Sequence, residues 1–539
     1  MEVAPWRWRL PASVRTSPGF WIPLGALISV LLTWRLYNLP MVSDEGGYAF
    51  AAERWFDGRG VLYKDVWISR PQGIFVVYGA IIKFIGGTTL DLRAVAWVFN
   101  VLTMMTVWHI ARKWQGTGVA AGATMIFAVM MGSPATEGFT ANAEIFMALP
   151  AAIAIITLIR AFERNWSPTW LAATGLLIGI ASQLKPSAVV SLGVAIGFIA
   201  IMAIDTDHFV RFTTRRSAPV LLGFGASLLP AIYHGYRIGW DAFLYASVTY
   251  RLTQQSTATG SLHHHLRALG YLSARIWPLY VLLALVALVR YATSDVRRAA
   301  KPALRPSKRE YRSQPMFGVV SRYFLFNTAD PTRLLLQLWI VGCLLGISMG
   351  GDWWFHYLIQ IAAPFAIWLA ITLAELRPRL PRAGHLVLIG AVAVLLLIPY
   401  GVVIQSTRAE MTNELFGHPG YADQEVVAQY LQDHTSPETP IFIAFDQAAL
   451  YYLAERPSTY QYLYDQELRA IPESQDDLIA MVEGPNRPLY IVGTRQLAPF
   501  EDRGLAFWEA VQRHYVLETV VRGVPIYRAI AEQPVPITP

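Results

Sequence analysis

Two adjacent carboxylates follow the first long apolar run, in Ser43-Asp44-Glu45-Gly46-Gly47-Tyr48. Ser43 can cap a helix that starts there, and acids suit a first turn. Adjacent helical side chains face different directions. One acid can therefore serve the helix while the other points into a cavity and takes up a proton. The chain continues through Tyr63-Lys64-Asp65, Trp67 and Arg70-Pro71-Gln72. That mixture of aromatics, cations and turn residues also fits an interfacial aromatic belt. Proline holds the preceding Arg70 extended, and a fixed guanidinium suits a phosphate. Four more polar sites border apolar runs: Glu137 and Glu144 at the start of one, Lys185 between two, and His356-Tyr357 opening another. Snorkelling or anchoring accounts for each alone. Together, on one predicted face, they suggest a site, because ionisable groups near membrane depth are costly. His263-His264-His265 is different: three consecutive histidines cannot all face one metal on a regular helix, so the run is expected in a loop or interface.

The elements that must hold these residues are apolar. Of 539 residues, 54% are hydrophobic and only 15% charged, against ~25% charged in soluble proteins; mean hydropathy is +0.37. This excludes a disordered chain and an ordinary soluble enzyme. Eleven runs of bilayer-spanning length lie near 19–38, 92–111, 117–133, 142–161, 168–184, 186–204, 218–235, 271–290, 333–350, 356–375 and 384–404. The first is expected to be a retained helix, since no small-residue cleavage pattern follows it. A twelfth stretch, 72–86, is short and carries Lys83. If it lies along the surface, Arg7, Arg9, Arg15, Arg112/Lys113, Arg160/Arg164, Arg211/Arg215/Arg216, ten cations between 290 and 333, and Arg377/Arg379/Arg382 all become cytoplasmic, as the positive-inside rule requires. The first loop, about 39–91, with interfacial helices, then lies outside. So do the loop 236–270 (Arg237, Asp241, Arg251), the short loop Gly350-Gly351-Asp352-Trp353-Trp354 and the C-terminal part.

Charge marks the domain boundary. Residues 1–404 carry 35 Lys+Arg and 18 Asp+Glu, whereas 405–539 carry 9 Arg, no Lys and 19 Asp+Glu. A basic transmembrane domain, 1–404, is thus followed by an acidic extracytoplasmic α/β domain, 405–539. The split argues against reading the net charge of +7 as nucleic-acid binding. In the second part, 421–433 reads as a helix with Val426, Val427, Tyr430 and Leu431 on one side. Strands are expected at 441–445 and 489–492, and a hairpin at 515–521/524–529 split by Gly523. Tyr451, Tyr452, Tyr460 and Tyr462 suit either sugar stacking or a small core. The lone Cys343 excludes a disulfide framework. Walker A, GxGxxG, HExxH and GxSxG motifs are absent. Chemistry facing outward, away from nucleotide sugars, needs a donor carried by lipid.

The order of these motifs resembles the GT-C superfamily of polyprenyl-phosphate-dependent glycosyltransferases, in its family-39-like branch of protein O-mannosyltransferases and lipid A aminoarabinose transferase. The resemblance rests on Asp44-Glu45-x-x-Tyr48, Gly60-x-Leu62-Tyr63-x-Asp65, Arg70-Pro71, Phe84-x-Gly86, Leu92-Arg93, Glu144-x-Phe146, Leu184-Lys185-Pro186, and His356-Tyr357 with Pro364. It covers most of 20–405. It implies a polytopic helical fold in the plasma (inner) membrane and sugar transfer from a polyprenyl phosphate to an acceptor hydroxyl on the extracytoplasmic side, with inversion. It makes Asp44 the general base and gives Glu45 the orienting of either Asp44 or the acceptor. Tyr48, Tyr63, Lys64, Arg70, Glu137, Glu144, Lys185, His356 and Tyr357 become the substrate-binding candidates, with Arg70 and Lys185 facing the departing phosphate. The acceptor classes it implies are glycan, lipid and protein. Some relatives use a divalent metal, but no ligand set in the sequence compels one. Two other readings remain: a flippase or transporter for lipid-linked sugars, which would want mid-membrane polar residues and inverted repeats, and a scaffold with an acidic outer domain.

Overall fold

The computed structural model describes residues 17–204, 208–255, 261–293, 330–349, 352–417, 421–445, 447–494 and 501–530. Arg7, Arg9, Arg15, the cations between 294 and 329, and Gly350-Gly351 lie outside them. Among the described residues, seven helices are long and apolar enough to cross a bilayer: Thr89–Gln115, Ala143–Glu163, Phe209–Ile238, Leu262–Ala292, Pro331–Ser348, Phe355–Arg379 and Arg382–Gln405. Five shorter apolar helices are Pro18–Thr33, Gly73–Phe84, Thr117–Met131, Pro168–Leu184 and Pro186–Ile201. Each of the eleven expected runs falls on one of these twelve. The remaining one, Gly73–Phe84, has 12 residues and spans about 18 Å at ~1.5 Å per residue, short of the ~30 Å hydrocarbon layer. The protein is multi-pass.

Membrane helices associate where small residues let backbones approach. A Cβ on Gly175 would sit 1.8 Å from the Val220 carbonyl oxygen, and one on Gly223 1.9 Å from that of Ala172. Helices Pro168–Leu184 and Phe209–Ser227 therefore touch backbone to backbone.

The first loop folds as two helices, Ser43–Phe56 and Gly73–Phe84. Ser43 is not the cap. Val42 is the N-cap residue, and its amide donates to Glu45 Oε2 at 3.0 Å. The three histidines are not in a loop either: Ser261 caps Leu262–Ala292, accepting from the His264 amide at 3.1 Å.

The C-terminal part holds a four-stranded sheet in the order β1-β2-β4-β3, with β1 Ile441–Ala444, β2 Tyr490–Gly493, β3 Tyr515–Val521 and β4 Val524–Ala529. β1 and β2 are parallel, and β4 is antiparallel to β2 and β3. Arg522 and Gly523, at φ 50° and 82°, make the β3–β4 turn, where two left-handed residues match the strand twist. Helix Gln424–His434 buries Gln424, Val427, Ala428 and Leu431. Val426, expected on that side, is exposed, because the buried stripe follows i, i+3, i+4, i+7 from Gln424.

One core of this sheet is local, with Phe442, Phe445, Leu478, Ile491 and Phe507. The other is continuous with the first-loop helices: Ile441, Ile443, Leu450 and Val492 share a cluster with Tyr48, Phe50, Phe75 and Tyr78. The junction has no room for side chains. A Cβ on Gly46 would lie 2.1 Å from Ala449 Cα, and one on Gly47 2.0 Å from the Tyr464 hydroxyl. Hydrogen bonds tie the same parts together: Arg408 Nε to the Asn38 carbonyl (2.8 Å), Gln424 Nε2 to that of Met41 (2.7 Å), the Trp67 amide to that of Gln461 (3.0 Å) and Tyr452 Oη to that of Gly87 (2.8 Å). Gly46→Ala is expected to cost about 1–3 kcal/mol by overpacking and to expose 421–530 to protease. Thermal unfolding with limited proteolysis checks both, and an unchanged digestion pattern counts against a tight junction.

Candidate active site

Asp44 stands in the first turn of Ser43–Phe56. Its Oδ2 accepts from Tyr48 Oη one turn later (3.2 Å) and lies 3.8 Å from Arg70 Nη2. Arg70 Nε in turn donates to Tyr48 Oη at 2.9 Å. Burial holds the Tyr48 phenol well above its ordinary pKa, so it stays a donor to the carboxylate. Burial also opposes the Arg70 charge, but the Tyr48 and Asp44 oxygens beside it more than offset this, and its proton is held more tightly than in a free arginine. The backbone carrying Arg70 is pinned on both sides. Tyr63 Oη donates to the Arg70 carbonyl at 2.7 Å, and Arg251 Nε to the Ser69 carbonyl at 2.9 Å.

Glu45 points the other way. It is 0% exposed. Arg93 grips it with two bonds, Nε to Oε1 (2.9 Å) and Nη2 to Oε2 (2.7 Å), and the Ala141 amide donates to Oε1 at 2.7 Å. Arg93 spends its other protons on the carbonyls of Leu36, Leu39 and Pro40. Of the two acids, then, Asp44 faces the cavity and Glu45 fastens the turn that places it.

The other polar sites converge. His356 Nδ1 lies 3.2 Å from Glu137 Oε2, and Nε2 3.7 Å from Glu144 Oε1. Glu144 forms a close ion pair with Lys185, whose Nζ sits 3.7 Å from the centre of the Tyr357 ring. Glu137 has left-handed backbone, φ 52°, a strain of ~1–3 kcal/mol for a non-glycine residue that its tight turn imposes.

A cavity of about 310 Å³ opens between these groups. Asp44, Arg70, Glu137 and His356 line it from the membrane part, Tyr464 and Arg469 from the sheet part. Lys185, Glu144 and Tyr357 stand behind His356 and do not line it. Lys185 is not part of the cavity wall, and its charge is paired with Glu144. Tyr63 is buried beneath Arg70, and Lys64 is exposed on the loop, away from the cavity. Tyr451, Tyr452 and Tyr460 serve as packing and backbone anchors, and Tyr462 packs edge-on against Trp67 at 5.2 Å. Tyr464, next in that tyrosine-rich stretch, is the one beside Asp44. The stretch itself signals aromatics near the loop, but which ring faces the cavity depends on how the sheet docks. Among the described residues no group of three or more His, Cys, Asp or Glu side chains is placed to hold a metal ion.

Residues 69–234 match the sequence model of the dolichyl-phosphate-mannose-protein mannosyltransferase family. That span includes Arg70, Glu137, Glu144 and Lys185, but not Asp44 or His356. The fold is similar to that of ArnT from Cupriavidus metallidurans bound to undecaprenyl phosphate, with TM-score 0.60, 12% identity, and 96% of this chain and 99% of that chain covered. The apo state of that protein gives the same score and identity over 94% and 97%. An Archaeoglobus fulgidus oligosaccharyltransferase tethered to an acceptor peptide gives 0.51 and 12% identity, over 92% of this chain and 72% of that one. No curated protein matches by sequence. The expected GT-C fold is borne out.

Proposed function

From a multi-pass chain with the GT-C fold, we propose that the cavity transfers a sugar from a polyprenyl phosphate to an acceptor hydroxyl on the extracytoplasmic face, with inversion. The observation that carries this is Asp44: a carboxylate in the cavity wall, oriented by Tyr48 and set beside a cation. Among the described residues only its Oδ2 is engaged, so Oδ1 is open to take a proton. The acceptor oxygen attacks the anomeric carbon from the face opposite the phosphate, and Asp44 takes its proton as the new bond forms. The bond to the phosphate oxygen breaks, and the charge appearing there is met by Arg70, with His356 as a further donor. Lys185 acts at one remove, balancing Glu144 so that His356 stays aligned. The acceptor class is a glycan, lipid or protein hydroxyl. The outward sense rests on the positive-inside distribution of the loop cations.

Purified full-length protein incubated with a panel of polyprenyl-phosphate sugars is expected to consume at least one and release the polyprenyl phosphate, read by mass spectrometry. Movement of an intact donor across liposomes, with no chemical change, would replace this reading by transport.

A further inference from the structure

Beside the cavity just described lies a larger one of about 770 Å³, within the size range that holds drug-sized ligands, roughly two or three sugar rings. The two share Trp354, Phe355, Gln466 and Arg469, so a molecule can extend from one into the other. Three features of its wall restrict what it holds.

Of its four cationic side chains three are already committed, and the fourth, Arg267, is exposed on its wall. Arg275 donates to the Leu415 carbonyl (3.1 Å) and the Pro134 carbonyl (2.9 Å), with its guanidinium 4.2 Å over the Phe355 ring. Arg469 pairs with Asp465 at 3.0 Å, and His264 with Asp352 at 2.9 Å. One uncommitted guanidinium, beside Asp352 and Glu414, does not make this wall a site for a polyanion. Nor is it wholly apolar, because Asp352, Glu414 and Gln466 face it beside Leu415 and Phe416. It does present exposed rings: Trp354 is 48% exposed, with the His356 ring parallel to it on one side at 6.4 Å, and Tyr271 is 70% exposed. The loop that carries the tryptophans is fixed by Asp352, which also accepts from Gln466 Nε2 at 3.0 Å. Trp353 is held there at φ 52°, and its buried indole N–H has no hydrogen-bond partner among the described residues.

Ring faces beside hydrogen-bonding groups, with an unspent donor, match a saccharide. The C–H faces of a sugar lie flat on an aromatic ring, and its hydroxyls need partners at the edge. We propose that this cavity is a saccharide subsite that binds the acceptor glycan beyond its reacting hydroxyl, with Trp354 as the stacking surface and the Trp353 N–H as a hydroxyl partner. This rests on the transferase reading and names its acceptor as a glycan.

Full-length protein in nanodiscs is titrated by calorimetry with linear oligomers of mannose, glucose or arabinose, one to six units long. In at least one series affinity rises about tenfold from one unit to three and then levels off. Trp354→Ala removes the gain with length. Trp353→Phe, which keeps a ring but no N–H, weakens the trimer by about three- to tenfold, and it carries the test if Trp354→Ala does not fold. The proposal is overturned if no series gains with length, if both variants bind as the parent does, or if a photoreactive polyprenyl phosphate labels residues 353–355 in place of the sugar. Donor consumption without length-dependent binding would sink this subsite alone. Length-dependent binding without donor consumption would sink the transferase reading alone.

Discussion

Asp44→Asn is expected to lower turnover by about 10²–10⁴-fold, the usual worth of a positioned general base, while the chain stays folded and still binds donor. Asparagine keeps the shape of aspartate and an oxygen to accept from Tyr48 Oη, now at 3.2 Å from Asp44 Oδ2. What it loses is the capacity to take a proton and the charge facing Arg70. Glu45 cannot stand in, because both of its oxygens are occupied by Arg93 and by the Val42 and Ala141 amides. The measurement is turnover against thermal unfolding and donor KM for the same preparation. Near-parental turnover in Asp44→Asn would remove Asp44 as the base.

The neighbouring acid is expected to behave in the opposite way. Glu45→Ala leaves the Arg93 guanidinium buried without its carboxylate, an imbalance that costs about 3–5 kcal/mol. Both partners are 0% exposed, so water cannot compensate. Replacing both with methionine should recover much of that stability, because a buried ion pair often exchanges for apolar side chains at little net cost. Activity should not return with it. The carbonyls of Leu36, Leu39 and Pro40 lose their donor, and the turn into Asp44 loosens. Denaturant unfolding of the two single variants and the double variant, beside turnover, separates these effects. An unchanged midpoint in Glu45→Ala would mean that the pair does not hold this turn.

Much of the architecture could be read without coordinates because its signals are local. Apolar runs mark the spanning helices, and Gly523 marks the β3–β4 turn. At the site, residue type located the cluster but not its wiring. The division of labour between Asp44 and Glu45 depends on Arg93, 48 residues away, and on the Ala141 amide, 96 residues away. Lys185 looked like a cation for phosphate because its partner Glu144, 41 residues earlier, comes alongside only when helices Ala143–Glu163 and Pro168–Leu184 pack. Lys64 shared the composition of its neighbours, but the turn through Tyr63, at φ 73°, directs it outward. Tyr464 reaches Asp44 only because the sheet docks on Gly46 and Gly47.

The bonds from Arg408, Gln424 and Tyr452 to the first loop join residues 365 to 383 positions apart. At a synthesis rate of ~5–20 residues per second, roughly 20–70 s separate the emergence of the two sides. Throughout that interval the glycine face of the Asp44 helix has nothing seated on it. The cavity beside Asp44 is thus walled in only after Tyr464 and Arg469 have followed the first loop out of the ribosome, and a shorter nascent chain already threaded through the membrane lacks that wall.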